Sequence, residues 1–174
     1  MTASILLSGI SNLYGVLKRD IDRKNTTLAQ RQRLAKDLRD CCVRWTEILI
    51  ETFDTAREHW SAGERGAAIS AIEAQQADFT KIDYRCTHES SPTLVFLRED
   101  PRFRAYALAV GRFYDSALDL KEWVHGQFAQ VPETQGEQDR NWVKTVVAEW
   151  RRRLEAMLNR VRHEYLAVEA LPPE

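Results

Sequence analysis

The chain has 174 residues, of which 44% are hydrophobic and 29% are charged, and its formal net charge is −1. This composition excludes a disordered chain and supplies enough apolar residues for the core of one domain. Seven glycines and five prolines are too few for the frequent turns of a β protein. The sequence has no uninterrupted run of about 18 apolar residues, the length needed to span a membrane.

The first two predicted helices cover most of residues 2–60. Apolar residues recur at helical spacing from Leu6 to Ile21, which predicts a helix over residues 2–22. Thr27 and Gln30 have the spacing of a capping box and predict the start of a second helix, roughly 33 residues long. Its predicted buried stripe consists of Leu34, Leu38, Cys41, Trp45, Leu49, Phe53, Ala56 and Trp60.

A third helix is predicted to begin at a second capping box, Ser61 with Glu64. Its predicted stripe consists of Ala68, Ile72, Phe79, Ile82 and Cys86. Ser91-Pro92 and Asp100-Pro101 each have a capping residue followed by proline, which is typical of a helix start. The apolar residues 94–97 between them predict a buried helical turn, with a short strand as the alternative.

The fourth predicted helix starts at Pro101, a polar loop follows over residues 130–141, and the last helix runs from Trp142 until Pro172-Pro173 ends it. The fourth stripe consists of Phe103, Tyr106, Val110, Phe113, Ala117, Leu120, Val124 and Phe128, and the last of Trp142, Val146, Trp150, Leu154, Met157, Val161 and Tyr165. Long helices joined by short loops predict an all-α fold. We expect an antiparallel bundle of about five helices, four of them long, in a single domain over residues 1–174.

No sequence motif indicates a reaction. The glycine-rich phosphate loops GxGxxG and GxxxxGK[ST] are absent, and so are GxSxG and HExxH. Glu122 and His125 match one Glu-x-x-His, but di-iron bundles need two such motifs and further carboxylates. Helical geometry also turns Asp119 and Glu122 toward water. We therefore expect no catalytic residue, no metal site and no cofactor.

The segment 1–17 carries no charged side chain. Small or uncharged residues lie opposite its apolar stripe, where a surface helix normally carries Lys or Glu. This pattern predicts a helix in close contact on both sides, and its proposed partner-interface residues are Ser4, Ser8, Ser11, Asn12 and Gly15. A central helix of the chain's own bundle and a membrane-surface helix are the alternatives.

Charge is unevenly distributed. Residues 18–44 hold nine basic and four acidic side chains, and residues 45–100 hold five basic and eleven acidic ones. Basic residues that could contact phosphates are Lys18, Arg19, Arg23, Lys24, Arg31, Arg33 and Lys36. An acidic stripe opposite the core of the second helix, a candidate partner face or metal site, consists of Glu47, Glu51, Asp54 and Glu58. Solvated helix faces would give the same pattern.

These observations favour a non-enzymatic interaction or assembly module, a helical subunit of a bacterial-type complex that binds a protein partner or a second copy of itself. The alternatives are a nucleic-acid-associated subunit and a metal-dependent helical hydrolase. Three cysteines, two of them adjacent at Cys41 and Cys42, are typical of a reduced, cytoplasmic protein. The first 17 residues have no Lys or Arg to begin a secretory signal.

Overall fold

A computed structural model describes residues 27–74, 91–130 and 137–172. Nearly all of these residues are helical, and none of them forms a strand, so the predicted all-α class is confirmed for them. No described helix combines the length and the apolar character needed to cross a membrane. The elements are α1 (Leu28–Ser61), α2 (Arg65–Ala74), α3 (Pro92–Glu99), a 3-10 turn (Pro101–Phe103), α4 (Arg104–Gln130) and α5 (Glu137–Glu169).

The helix α1 begins as the sequence predicts. The Thr27 hydroxyl accepts a hydrogen bond from the Gln30 backbone N–H at 3.4 Å, and the Gln30 side-chain oxygen accepts from the Thr27 N–H at 2.8 Å. This reciprocal capping box satisfies two N–H groups that the first helical turn would otherwise leave unpaired. The prediction for Thr27 is therefore confirmed.

The second predicted capping box is wrong, because Ser61 is the last residue of α1. The backbone N–H groups of Gly63 and Glu64 donate to the carbonyls of Trp60 and His59, so the chain is still closing the end of α1 there. Gly63 has a φ of 86°, a left-handed conformation that glycine adopts without steric cost and that commonly ends helices. The next helix, α2, begins only at Arg65.

Both predicted cap-then-proline starts are confirmed. The Ser91 hydroxyl accepts from the Leu94 N–H at 3.2 Å, and a carboxylate oxygen of Asp100 accepts from the Arg102 N–H at 3.0 Å. Residues 94–97 are helical, which decides between helix and strand. Pro101 opens a 3-10 turn, and α4 follows from Arg104.

The predicted loop over residues 130–141 is too long, because α5 already begins at Glu137. Polar residues at 137–141 resemble a loop in sequence, but acidic side chains are also favourable in the first turn of a helix, beside its positive dipole end. Residues 131–136 lie outside the described residues, as do Phe79, Ile82 and Cys86 of the third predicted stripe. The side chains of Leu120, Val124, Phe128 and Trp142 do so too.

The apolar sides of α1, α4 and α5 meet in one core. Phe53 of α1 and Trp150 of α5 lie with their ring centroids 4.0 Å apart, and both are buried. One position of the predicted α1 stripe is wrong, since Cys42 is buried whereas Cys41 is half-buried. The preceding core residue, Leu38, is four positions from Cys42, and the helix rotates about 40° over those four residues, so Cys42 remains on the buried side.

Contacts along α1 connect its two ends to different parts of the chain. Near its start, the Gln32 side-chain amide donates to the Val168 carbonyl of α5 at 3.1 Å, and the buried Tyr106 hydroxyl of α4 donates to the Ala35 carbonyl at 2.6 Å. Nearer its end, α1 contacts the Trp150 region of α5 and packs against α2. These contacts place α1 between the other helices, with one side exposed.

Candidate partner-binding surfaces

Much of the surface predicted from sequence lies outside the described residues. This applies to the proposed interface in the first segment, Ser4, Ser8, Ser11, Asn12 and Gly15, and to the basic residues Lys18, Arg19, Arg23 and Lys24. The remaining basic residues, Arg31, Arg33 and Lys36, belong to the first turns of α1. The acidic stripe belongs to its second half.

Arg31 connects α1 to α3. Its guanidinium donates to the Phe96 carbonyl at 2.6 Å, lies 4.0 Å from the centre of the Phe96 ring, and has its Nε 3.8 Å from an Asp100 carboxylate oxygen. The Arg31 side chain is only 15% exposed. These contacts hold the guanidinium within the fold, so phosphate binding by Arg31 would have to compete with them.

Arg33 and Lys36 are exposed, unlike Arg31. They lie near the carboxyl of Asp37. Burial raises the pKa of Asp37, and the positive charge of Arg33 and then of Lys36 opposes that rise. Both basic side chains can reach solvent, but part of their charge is balanced by this neighbouring carboxylate.

The acidic stripe divides into three exposed residues and one that contacts α5. Glu47, Glu51 and Glu58 are exposed, whereas Asp54 is half-buried. One Asp54 oxygen lies 3.4 Å from Arg57, and the other lies 3.9 Å from Arg151 of α5. Within the described residues, no group of three or more His, Cys, Asp or Glu side chains is placed to hold a metal ion.

A groove of about 390 Å³ runs along the junction of α1 and α5 beside this stripe, and we call it the polar groove. From α1 it is lined by Val43, Thr46, Glu47 and Ile50. From α5 it is lined by Glu155, Leu158, Asn159 and Arg162. Its floor is aliphatic, since Leu158 is buried and Val43 and Ile50 are half-buried, while the four charged or amide side chains are exposed at its edges.

The charges around the polar groove differ in how they are paired. Glu47 accepts a hydrogen bond from Arg44 at 2.9 Å, and Glu155 accepts one from Arg151 at 3.3 Å. Arg162 forms no ion pair with any side chain in the described part of the chain. The groove therefore offers two exposed carboxylates, and a guanidinium without an ion pair among the described side chains, around a small apolar floor.

The run Arg151-Arg152-Arg153 does not present three free charges. Arg152 and Arg153 both bind Glu149, with N–O distances of 2.8 Å and 2.7 Å. These hydrogen bonds, from Arg152 first and then Arg153, lower the pKa of Glu149 to about 2. Three consecutive arginines can indicate a nucleic-acid-binding patch, but two of these three are bound by a carboxylate of the same helix.

The Glu-x-x-His motif is likewise on the surface. Asp119 and Glu122 are exposed, and the half-buried His125 has its Nε2 3.3 Å from a carboxylate oxygen of Glu73 in α2. This pair connects α4 to α2. The arrangement supplies a polar contact between helices, with no metal-binding cluster among the described residues.

Sequence reasoning missed the α5 side of the polar groove. Glu155, Asn159 and Arg162 follow one another at i, i+4 and i+7, a spacing that places them on one side of a helix and could have identified them. The chain matches no known protein family, and it is similar to no curated protein and no solved structure.

Proposed function

We propose that the protein is a non-enzymatic interaction or assembly module, a helical subunit of a bacterial-type cytoplasmic complex, and that it binds a partner protein through the polar groove and the adjoining acidic stripe. The observation that carries this proposal is the groove itself, with an aliphatic floor edged by Glu47, Glu155 and Arg162. Protein interfaces commonly combine a small apolar centre with a polar edge.

The proposed binding surface is formed by two long helices that pack against each other. We infer that the long helices form an antiparallel bundle and that the chain is one domain. Gln32 lies beside Val168 and Phe53 lies beside Trp150, so residue numbers rise along α1 while they fall along α5, which supports this inference. A surface held by two packed helices keeps its shape before binding, which limits the entropy lost on association.

The charges favour a partner with basic side chains and at least one aliphatic side chain. Glu47 and Glu155 project from opposite helices toward the same groove, and Glu51 extends the negative surface along α1. A lysine or arginine placed there would be attracted by these carboxylates, while an aliphatic side chain could cover Val43 and Ile50. A carboxylate of the partner could pair with Arg162.

The uncharged residues 1–17 supply a second proposed interface, on sequence grounds alone. Replacement of Ser8 and Ser11 by arginine would add bulk and charge to it. If the segment meets a partner or a second copy, association should be lost while the monomer stays folded. If it is instead the centre of the chain's own core, the melting temperature should fall sharply.

The phosphate-binding alternative has less support among the described residues. Arg31 is held by Phe96 and Asp100, so Arg33 and Lys36 are the exposed residues of the proposed phosphate-binding set in the described part of α1. If the basic segment does bind nucleic acid, affinity must fall steeply as salt rises. Replacement of Arg23, Lys24, Arg31 and Arg33 by glutamine should then flatten that dependence.

Site-specific photocross-linking in producing cells tests the main proposal. A photoreactive residue at Glu47 should give one discrete adduct with a partner protein, whereas the same residue at the exposed Glu99 of α3 should not. An adduct of twice the chain mass would identify a second copy as the partner. Identical products from both positions, or none from Glu47, would contradict a specific interface at the polar groove.

A further inference from the structure

A second groove, separate from the polar groove, lies between α4 and α5, and we call it the apolar groove. It has a volume of about 240 Å³. From α4 it is lined by Ala105, Leu108, Ala109, Arg112, Phe113 and Ser116, and from α5 by Met157 and Arg160. Phe113 is buried at its floor, whereas Leu108 is 38% exposed.

Small residues line the α4 side of this groove. Ala105, Ala109 and Ser116 share that side at i, i+4 and i+11, and they leave space for another backbone to approach. The lining extends from Ala105 to Ser116 of α4, a rise of about 16 Å at 1.5 Å per residue. That length corresponds to about three turns of a second helix laid along the groove.

Charged side chains line the apolar groove at two positions. Both charged lining residues, Arg112 and Arg160, are arginines, and none of the lining residues is acidic. Arg160 pairs with Glu164 at 2.6 Å, whereas Arg112 has no ion pair or hydrogen bond with the residues that the structure describes. A ligand with a carboxylate beside an apolar group would match Arg112 and Leu108 together.

We propose that the apolar groove binds an amphipathic helix of a partner protein, with apolar side chains at i and i+4 against Leu108 and Phe113 and with acidic side chains facing Arg112. Grooves of this kind commonly bind helices through apolar anchors at i, i+3 or i+4 and i+7. The positive charge of Arg112 favours acidic helices over basic ones, since like charges at an interface are unfavourable. This site does not depend on the polar groove.

The test is selection from a displayed library of random helical 16-residue peptides against the full chain, with peptides that also bind the Leu108→Glu variant removed. The selected peptides should carry Asp or Glu beside apolar anchors. One of them should bind the Arg112→Glu variant at least about tenfold more weakly than the parent, because a partner charge is reversed. Exchange of its carboxylates for lysines should restore binding to that variant.

Arg33→Glu is the matched control, because it makes the same charge change at an exposed position on α1 and should leave affinity unchanged. The proposal is overturned if no peptide depends on Leu108, if the selected peptides are basic or uncharged, or if both charge reversals weaken binding equally. It is also overturned if decanoate binds at Leu108 and no peptide does, which would assign the groove to an anionic amphiphile. A dimer abolished by Leu108→Glu would assign it to a second copy.

Discussion

The two sides of α5 carry surfaces of opposite character. Toward α1, Glu155, Asn159 and Arg162 edge the polar groove, whereas toward α4, Met157 and Arg160 line the apolar groove, which has no acidic member. Successive residues rotate by about 100°, so Met157 lies about 160–200° around the helix from Asn159 and Glu155. A single helix can therefore present two recognition surfaces while its buried residues hold both in place.

The largest predicted effect on stability comes from a core residue of α5, the helix that lines both grooves. Leu154 of α5 is fully buried, and Leu154→Ala should lower the free energy of unfolding by about 2–5 kcal/mol, because it removes buried methyl groups and leaves a cavity. Urea unfolding measures this loss. The control is Leu166→Ala on the same helix, where the side chain is 60% exposed and the change should stay below about 0.5 kcal/mol. Equal losses would mean that α5 does not bury Leu154 as described.

The next effect concerns the two tyrosines on α4, one of the helices that flank α5. Both are buried, but the Tyr106 hydroxyl donates to the Ala35 carbonyl of α1, whereas the Tyr114 hydroxyl has no hydrogen-bond partner in the described structure. Tyr106→Phe should therefore cost about 0.5–1.5 kcal/mol of stability. Tyr114→Phe should leave stability unchanged or raise it, since an unpaired buried hydroxyl is unfavourable. If Tyr114→Phe lowered the stability measured by urea unfolding more than Tyr106→Phe did, the hydrogen bonding described for the two hydroxyls would be wrong.

A smaller effect on stability should distinguish an arginine beside the polar groove from an arginine beside the apolar groove. Arg151, beside the polar groove, binds Glu155 and lies 3.9 Å from Asp54, and about half of its side chain is exposed. Arg151→Gln should therefore cost less than about 1 kcal/mol, and the cost should shrink as salt is added. Arg112→Gln, beside the apolar groove, removes a charge with no ion pair among the described residues and should cost nothing measurable. Thermal melts at low and high salt compare the two variants.

Local sequence signals identified the helix starts well. The Thr27, Ser91 and Asp100 starts depend on side chains that bond to backbone N–H groups within three residues, so neighbouring sequence contains all the information. The start of α2 was predicted wrongly at Ser61, which has the right spacing for a cap but is the last residue of α1; Gly63 ends that helix, and α2 begins at Arg65.

The surfaces were harder to predict, because each groove combines two helices that are distant in sequence. The acidic stripe could be proposed from α1 alone, but its contact with Arg151 depends on a residue 97 positions away from Asp54. Arg31 was proposed as a phosphate contact because it belongs to a basic segment, and its bond to the Phe96 carbonyl could not be inferred from that segment. Periodicity shows which side of one helix is polar, and it does not show which helices adjoin.

The smallest predicted effect concerns the charges that α5 pairs within itself. Glu149 is bound by Arg152 and Arg153, and its pKa is lowered to about 2 from the ordinary value of 4.5. Because the carboxyl is the stronger acid in the folded chain, its stabilising contribution is complete above the unfolded pKa and is lost as pH falls through about 2. Carboxyl NMR of the folded protein should therefore place the midpoint of Glu149 near 2. The double variant Arg152→Gln with Arg153→Gln should move that midpoint up toward 4.5, whereas Arg162→Gln, which alters the polar groove, should leave it unchanged. A midpoint near 4.5 in the parent protein would mean that Arg152 and Arg153 are not held by Glu149, and the free positive charge of α5 would then extend well beyond the two grooves.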